Sequence, residues 1–234
     1  GEVEKKNYLA SQPVNENFQV YFRTLPYIMM AVLILAVSTV MMVLNKPDLR
    51  MRNLCAPIKL RNVNFQMALY NLCLGVVVWA VLTVMAFLFY GNRIFEADGR
   101  MILLTLLNSL CYLFVCLSVA FLMGNFVKDG GGQNIAANFI SLSLSFLGGS
   151  FVPLELLGNS VLQVAYYTPS YWYNHSLETI FGLTHFDWQS LNLVFLSMAI
   201  QIGFAAAVFS VALVISKFRR QRSEGFTSTK TEMA

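Results

Sequence analysis

Charge is the scarcest ingredient of this 234-residue chain: Asp, Glu, Lys and Arg make up 12% of it, against 57% hydrophobic residues. A soluble domain carries about a quarter charged residues. A chain with half that share and a mean hydropathy of +0.60 has too little polar surface to cover a water-exposed fold. That excludes an ordinary soluble domain and points to lipid as the solvent.

Other absences exclude chemistry. There are two histidines, His175 and His185. His175 stands three residues before Glu178, a spacing that can hold a metal from one helix, but two ligands do not make a site and a structural histidine is the preferred reading. Of the four cysteines, Cys73, Cys111 and Cys116 lie in apolar runs and Cys55 in a basic loop. None pairs at the C-x-x-C spacing, so neither a zinc site nor a disulfide framework is expected. The one glycine-rich stretch, Lys128–Asn134, lacks the G-x-x-x-x-G-K-[ST] pattern that cradles phosphates. It reads as a flexible turn, and any ATP-driven work needs another chain. No G-x-S-x-G elbow is present. Neither enzyme activity nor a cofactor is expected. No Asp, Glu, Lys or Arg falls mid-span, which disfavours a proton- or ion-coupled carrier.

An apolar leader is missing too. Gly1–Arg23 is polar, with no signal-peptide core. Its expected place outside the membrane implies an upstream segment that delivers it; spontaneous crossing of a short tail is the alternative.

What the chain has is long uncharged runs. About 20 apolar residues in a helix cross the hydrocarbon core. Thr24–Leu44, Gln66–Tyr90, Met101–Gly124 and Gln189–Ser216 reach that length, and Ile135–Leu154 does so with Gly148, Gly149 and Pro153 near its end. None alternates as barrel strands do. The expected fold is therefore an all-α membrane protein with five transmembrane helices.

Basic residues set the orientation. Asn45–Phe65 holds Lys46, Arg50, Arg52, Lys59 and Arg61 against Asp48 alone, and the tail holds Lys217, Arg219, Arg220 and Arg222. Glu155–Trp188 has three acids and no Lys or Arg. The basic segments are expected in the cytoplasm, placing the N-terminus outside and the C-terminus inside. Such loops also satisfy the positive-inside bias by touching anionic lipid, at about 1 kcal/mol per charge.

Ala137, Ser141, Ser145 and Gly149 recur every four residues. Such a stripe permits close helix packing or lines a polar path, and the spacing leaves both open. Ala199, Gly203 and Ala207 repeat it in the last run. Asn71, Asn108, Asn138 and Gln201 lie inside spans and need protein or water to face. In Leu147–Tyr173, Gly148, Gly149 and Pro153 break a helix, Leu156–Tyr167 is too short to cross, and Pro169 precedes a Tyr/Trp cluster. Tyr and Trp favour the headgroup level, and broken helices at membrane depth need protein around them. An outer re-entrant or interfacial helical hairpin, including Glu155, is expected.

The run G-G-x-F-V-P-L-E-L-L followed by T-P-x-Y-W, within Leu147–Trp172, resembles the signature near the end of ABC-2-type transporter permeases, and Ala56–Ile58 in the basic loop is a weaker match. The likeness covers about residues 21–222. It implies an extracytoplasmic remnant at 1–23, an ABC-2-type transmembrane domain at 24–216 and a cytoplasmic tail at 217–234. It implies the permease subunit of an ATP-driven exporter, pairing with a second permease copy as homo- or heterodimer and with a cytoplasmic ABC ATPase subunit. The coupling loop maps to Asp48–Asn62, with Asp48, Arg50, Arg52, Lys59 and Arg61; the hairpin maps to Gly149–Tyr167. Family members often carry Pro where this chain has Gly158 or Asn159. The implied location is the plasma (cytoplasmic) membrane of a bacterium, with no nucleic-acid partner. An ATPase-independent channel or secondary transporter, or a membrane scaffold or sensor, is the alternative.

Overall fold

The computed structural model describes residues 2–44, 60–94, 99–127, 129–152, 154–156, 158–183 and 188–232. Among them there is helix and no strand. The order is α1 (Glu2–Leu44), α2 (Leu60–Ile94), α3 (Gly99–Phe126), α4 (Gly130–Leu147), a 3-10 turn (Leu154–Leu156), α5 (Asn159–Ala165), α6 (Pro169–Gly182) and α7 (Trp188–Glu232).

Four of these helices are long and apolar enough to cross a membrane, over Asn17–Val43, Ala68–Tyr90, Gly99–Phe126 and Leu191–Phe218. They match four of the five expected runs to within a few residues, except that the first begins seven residues earlier. The polar stretch ahead of it continues α1 without a break, and α7 likewise runs on into the basic tail.

The fifth run takes a different form. Ile135–Leu154 is not one helix: α4 starts earlier, at Gly130, and stops at Leu147. Eighteen residues span about 27 Å, slightly less than the hydrocarbon thickness. Three glycines in its first turn are poor helix formers. Asp129 offsets this as an extended N-cap whose side chain accepts from Gly132 N at 2.7 Å. At the other end Gly148 N bonds Leu144 O at 2.9 Å and Ser150 N bonds Ser145 O at 2.9 Å. Gly149 takes φ +82, a conformation that costs a residue with a Cβ but not glycine.

Helix α3 is the axis of the bundle. It packs most extensively on α7 and α1, and 56% of its span is buried, against 17% for α2. Phe22, Leu25, Met29, Met30, Leu33, Ile34 and Val37 of α1 join Tyr112, Leu113, Val115, Cys116 and Ala120 of α3 in one core. The antiparallel order gives the bundle two distinct ends. At one, Phe18 of α1 meets Phe181 of α6, and Tyr21 meets Tyr90 of α2. At the other, Gln133 at the start of α4 donates to Leu35 O and to Thr39 Oγ1, at 2.5 and 2.7 Å. There Met41 also packs against Gly124 so closely that a Cβ on the glycine would overlap its sulfur.

Candidate functional site

The polar chemistry of the chain gathers on α6, at the Phe18–Phe181 end. Pro169 starts this helix at a position where a missing N–H costs nothing. The buried residues are Pro169, Ser170, Tyr171, Tyr173, Asn174, Ser176, Leu177 and Ile180, more than one helical face. A short helix enclosed on several sides needs partners within protein for its polar groups, and α6 finds several of them on two long helices, α3 and α1, and at the α4 terminus.

Toward α3, the Tyr112 and Ser170 hydroxyls share a hydrogen bond of 2.7 Å. Asn108 Nδ2 donates to Tyr173 O at 3.1 Å. Asn108 Oδ1 in turn accepts from Gln201 Nε2 of α7 at 2.9 Å. Toward the end of α4, Asn174 Nδ2 donates to Gly148 O at 2.6 Å and to Ser150 Oγ at 3.1 Å. This satisfies a carbonyl that the helix end leaves free. The fit is close: a Cβ on Gly148 would overlap Ser170, and one on Gly149 would come within 2.5 Å of Leu154 Cδ2.

Toward α1 there are two links. Arg23 Nη2 pairs with Glu178 Oε1 at 3.1 Å, and the Tyr173 hydroxyl donates to Phe22 O at 2.8 Å. The second has a cause in the sequence. Four residues after Phe22 stands Pro26, inside α1, and proline has no N–H to give the carbonyl at i−4. Tyr173 supplies the donor that the helix lacks.

Outside the four spans, Tyr166, Tyr171, Trp172 and His175 form an aromatic cluster, with Tyr166 and Tyr171 centroids 4.8 Å apart and His175 stacked on Tyr171 at 5.7 Å. Trp172 Nε1 caps Tyr166 O at 3.0 Å. Burial pushes the Tyr171 hydroxyl above its usual range, helped by Tyr166 and Glu178. Burial pushes His175 below the usual histidine value.

The residues singled out from sequence are distributed as follows. Ala137, Ser141, Ser145 and Gly149 are all buried, the first three on α4, which packs against α1, and Gly149 just past its end; Ser141 Oγ bonds its own turn at Ala137 O. Gly148, Gly149 and Pro169 lie around the α4–α6 contact. Glu155 falls in the 3-10 turn, and Pro153 lies outside the described residues. So do Asp48, Arg50, Arg52 and Lys59, while Arg61 is in the first turn of α2. Asn108 and Gln201 are joined; Asn138 is exposed and donates to Asn134 O; Asn71 is buried with neither amide atom bonded. Glu178, considered above with His175 as a metal ligand, has Oε1 engaged by Arg23. Among the described residues no group of three His, Cys, Asp or Glu is close enough to hold a metal.

Sequence reasoning missed Pro26, Phe22, Arg23 and Tyr112, and placed Tyr173 with the aromatic cluster at the headgroups. One signal was available: a proline inside an apolar run announces an orphan carbonyl four residues earlier.

Comparison with known proteins identifies a family. The family described as ABC-2 family transporter protein matches residues 4–216. The chain matches no curated protein and no solved structure.

Proposed function

The chain belongs to the ABC-2 family of transporter proteins, and from that membership we propose that it is the permease subunit of an ATP-driven exporter. The family match carries the reading, because it covers all four membrane-capable helices nearly end to end. These 234 residues include no phosphate-binding loop, and in this reading an ATPase subunit supplies the energy.

In this reading the ATPase docks on the basic loop through Asp48, Arg50, Arg52, Lys59 and Arg61, two permease copies assemble, and α4 is the fifth crossing. The 3-10 turn and α5 form the outer hairpin. The basic loop and tail face the cytoplasm of a bacterial cell, and α6 lies on the outer side. The charge asymmetry of the loops supports the orientation, and the shortness of α5 supports a segment that returns without crossing.

The test is affinity purification of the full-length protein in mild detergent, followed by an ATPase assay and identification of what co-purifies. An ABC ATPase is expected, retained by the wild type and weakened by charge reversal at Arg50 and Arg52. Transport activity without any ATPase partner would overturn the reading in favour of a channel or secondary transporter.

A further inference from the structure

The contact between α1 and α6 combines two features that together make a device. Pro26 interrupts the backbone ladder of α1 inside the span Asn17–Val43, and prolines are the commonest cause of a sharp bend in a helix. The carbonyl freed by that interruption, Phe22 O, receives the Tyr173 hydroxyl at 2.8 Å. One residue further, Arg23 pairs with Glu178 of the same α6 at 3.1 Å. Phe18, one turn earlier, lies beside Phe181 at 6.1 Å between ring centroids. Helix α6 thus grips α1 over two turns immediately before its weak point.

The grip is strong in shape but incomplete in polar pairing. Eight buried side-chain polar atoms among the described residues have no hydrogen-bond partner; five of them are Arg23 Nε, Asn174 Oδ1, His175 Nδ1, Ser176 Oγ and Gln201 Oε1. Three belong to α6, one to its ion-pair partner Arg23, and one to the amide pair that binds Tyr173 O. Unsatisfied buried groups are rare in a packed protein, and three of the eight fall on the consecutive α6 residues Asn174, His175 and Ser176.

We propose that α6 is a catch for a hinge in α1: while docked, the Tyr173 hydroxyl completes the helix at Pro26 and fixes its bend, and when α6 withdraws the bend is released. The donor is supplied from outside the helix, so the stiffness of α1 depends on the position of α6. A helix with its own N–H at position 26 would be insensitive to it.

The experiment measures the bend directly. Genetically encoded spin labels replace the exposed Val20 and Val43, on either side of Pro26, in the full chain reconstituted in lipid nanodiscs. Their separation of about 35 Å suits pulsed dipolar spectroscopy. Wild type is expected to give a narrow distance distribution. Tyr173→Phe, which removes one oxygen, is expected to give one roughly twofold wider. Pro26→Ala restores the missing N–H, so Tyr173→Phe/Pro26→Ala is expected to be narrow again. If Tyr173→Phe leaves the distribution unchanged, or if Pro26→Ala fails to restore it, the catch is wrong. Should Tyr173→Phe be poorly folded, Arg23→Gln, made alone and together with Pro26→Ala, gives the same contrast. Broadening only where the proline is kept supports the catch, and equal broadening in both overturns it.

Discussion

Asn108 of α3 and Gln201 of α7 hold each other through a single bond of 2.9 Å between two fully buried amides. Each sits about ten residues into a 28-residue span, so the pair joins α3 to α7 at membrane depth. The sharing is unequal. Asn108 uses both its oxygen and its nitrogen, the latter on Tyr173 O, whereas Gln201 Oε1 has no partner.

The asymmetry predicts an order of stabilities. Asn108→Leu leaves the whole Gln201 amide unpaired in a dry interior, at a cost of about 1–3 kcal/mol. Gln201→Leu strands one oxygen but removes another that is already stranded, so it costs less. The double variant should match Gln201→Leu rather than the sum of the two singles. Unfolding of the detergent-solubilised protein ranks the three; an Asn108→Leu protein as stable as Gln201→Leu contradicts the bonding described.

His175 predicts a dependence on pH. Burial lowers its proton affinity in the folded chain, so between the ordinary histidine pKa of about 6.5 and the lower folded value the unfolded state binds more protons. Stability is therefore complete above about pH 6.5 and declines as the pH falls through the folded pKa. Thermal unfolding in steps from pH 8 to about pH 5 should show the decline in wild type and a flatter profile in His175→Gln. Identical slopes would remove His175 as the cause.

The two adjacent glycines predict a local contrast. Gly149→Ala forces a Cβ into φ +82, at about 1–2 kcal/mol, and Gly148→Ala drives α4 away from Ser170, at about 1–3 kcal/mol. Gly158, with nothing within 4 Å of an added Cβ, should accept alanine within about 0.5 kcal/mol. Equal tolerance at all three positions in a thermal-shift assay would show that the α4–α6 contact is looser than described.

The orientation is open to labelling. Single cysteines at the exposed positions Gly182 and Gly130 lie at opposite ends of the bundle. In intact cells a membrane-impermeant maleimide should reach position 182 and spare position 130. The reverse pattern would invert the proposed topology.

How much was legible follows from range. Span length and charge depletion are properties of neighbouring residues, so four spans could be read from composition along the chain. The stop of α4 at Leu147 was half-visible, because Gly148 and Gly149 flag a break but do not say on which residue it falls. The role of α6 was hidden. Tyr173 and Phe22 are separated by 151 positions and Arg23 and Glu178 by 155, and no local pattern encodes such a meeting. The Tyr/Trp cluster was read as a headgroup anchor; Tyr173 proved to be fully buried, its ring against Tyr112 at 5.0 Å. The helical continuation of α1 over the polar residues before position 17 escaped notice because the reading sought apolar runs, and polar residues can extend a helix already nucleated. The basic loop, read mainly from its charges and family likeness, lies at 45–59 outside the described residues.

The sparse burial of α2 bears on how this chain can vary over generations. Val77, Val81, Val84, Leu88 and Phe89 are more than half exposed on one flank, where a bilayer selects for oiliness and not for shape. Drift among Val, Leu, Ile and Phe is nearly free at such sites. Latitude ends where the helix touches its neighbours, at Gly75, whose Cβ would strike Leu117, and at Trp79, whose indole donates to Ser109 Oγ at 2.9 Å. A lineage could rewrite most of the outer flank of α2 and keep its place in the bundle, provided the inward letters, these two and the buried Ala86 among them, stayed the same.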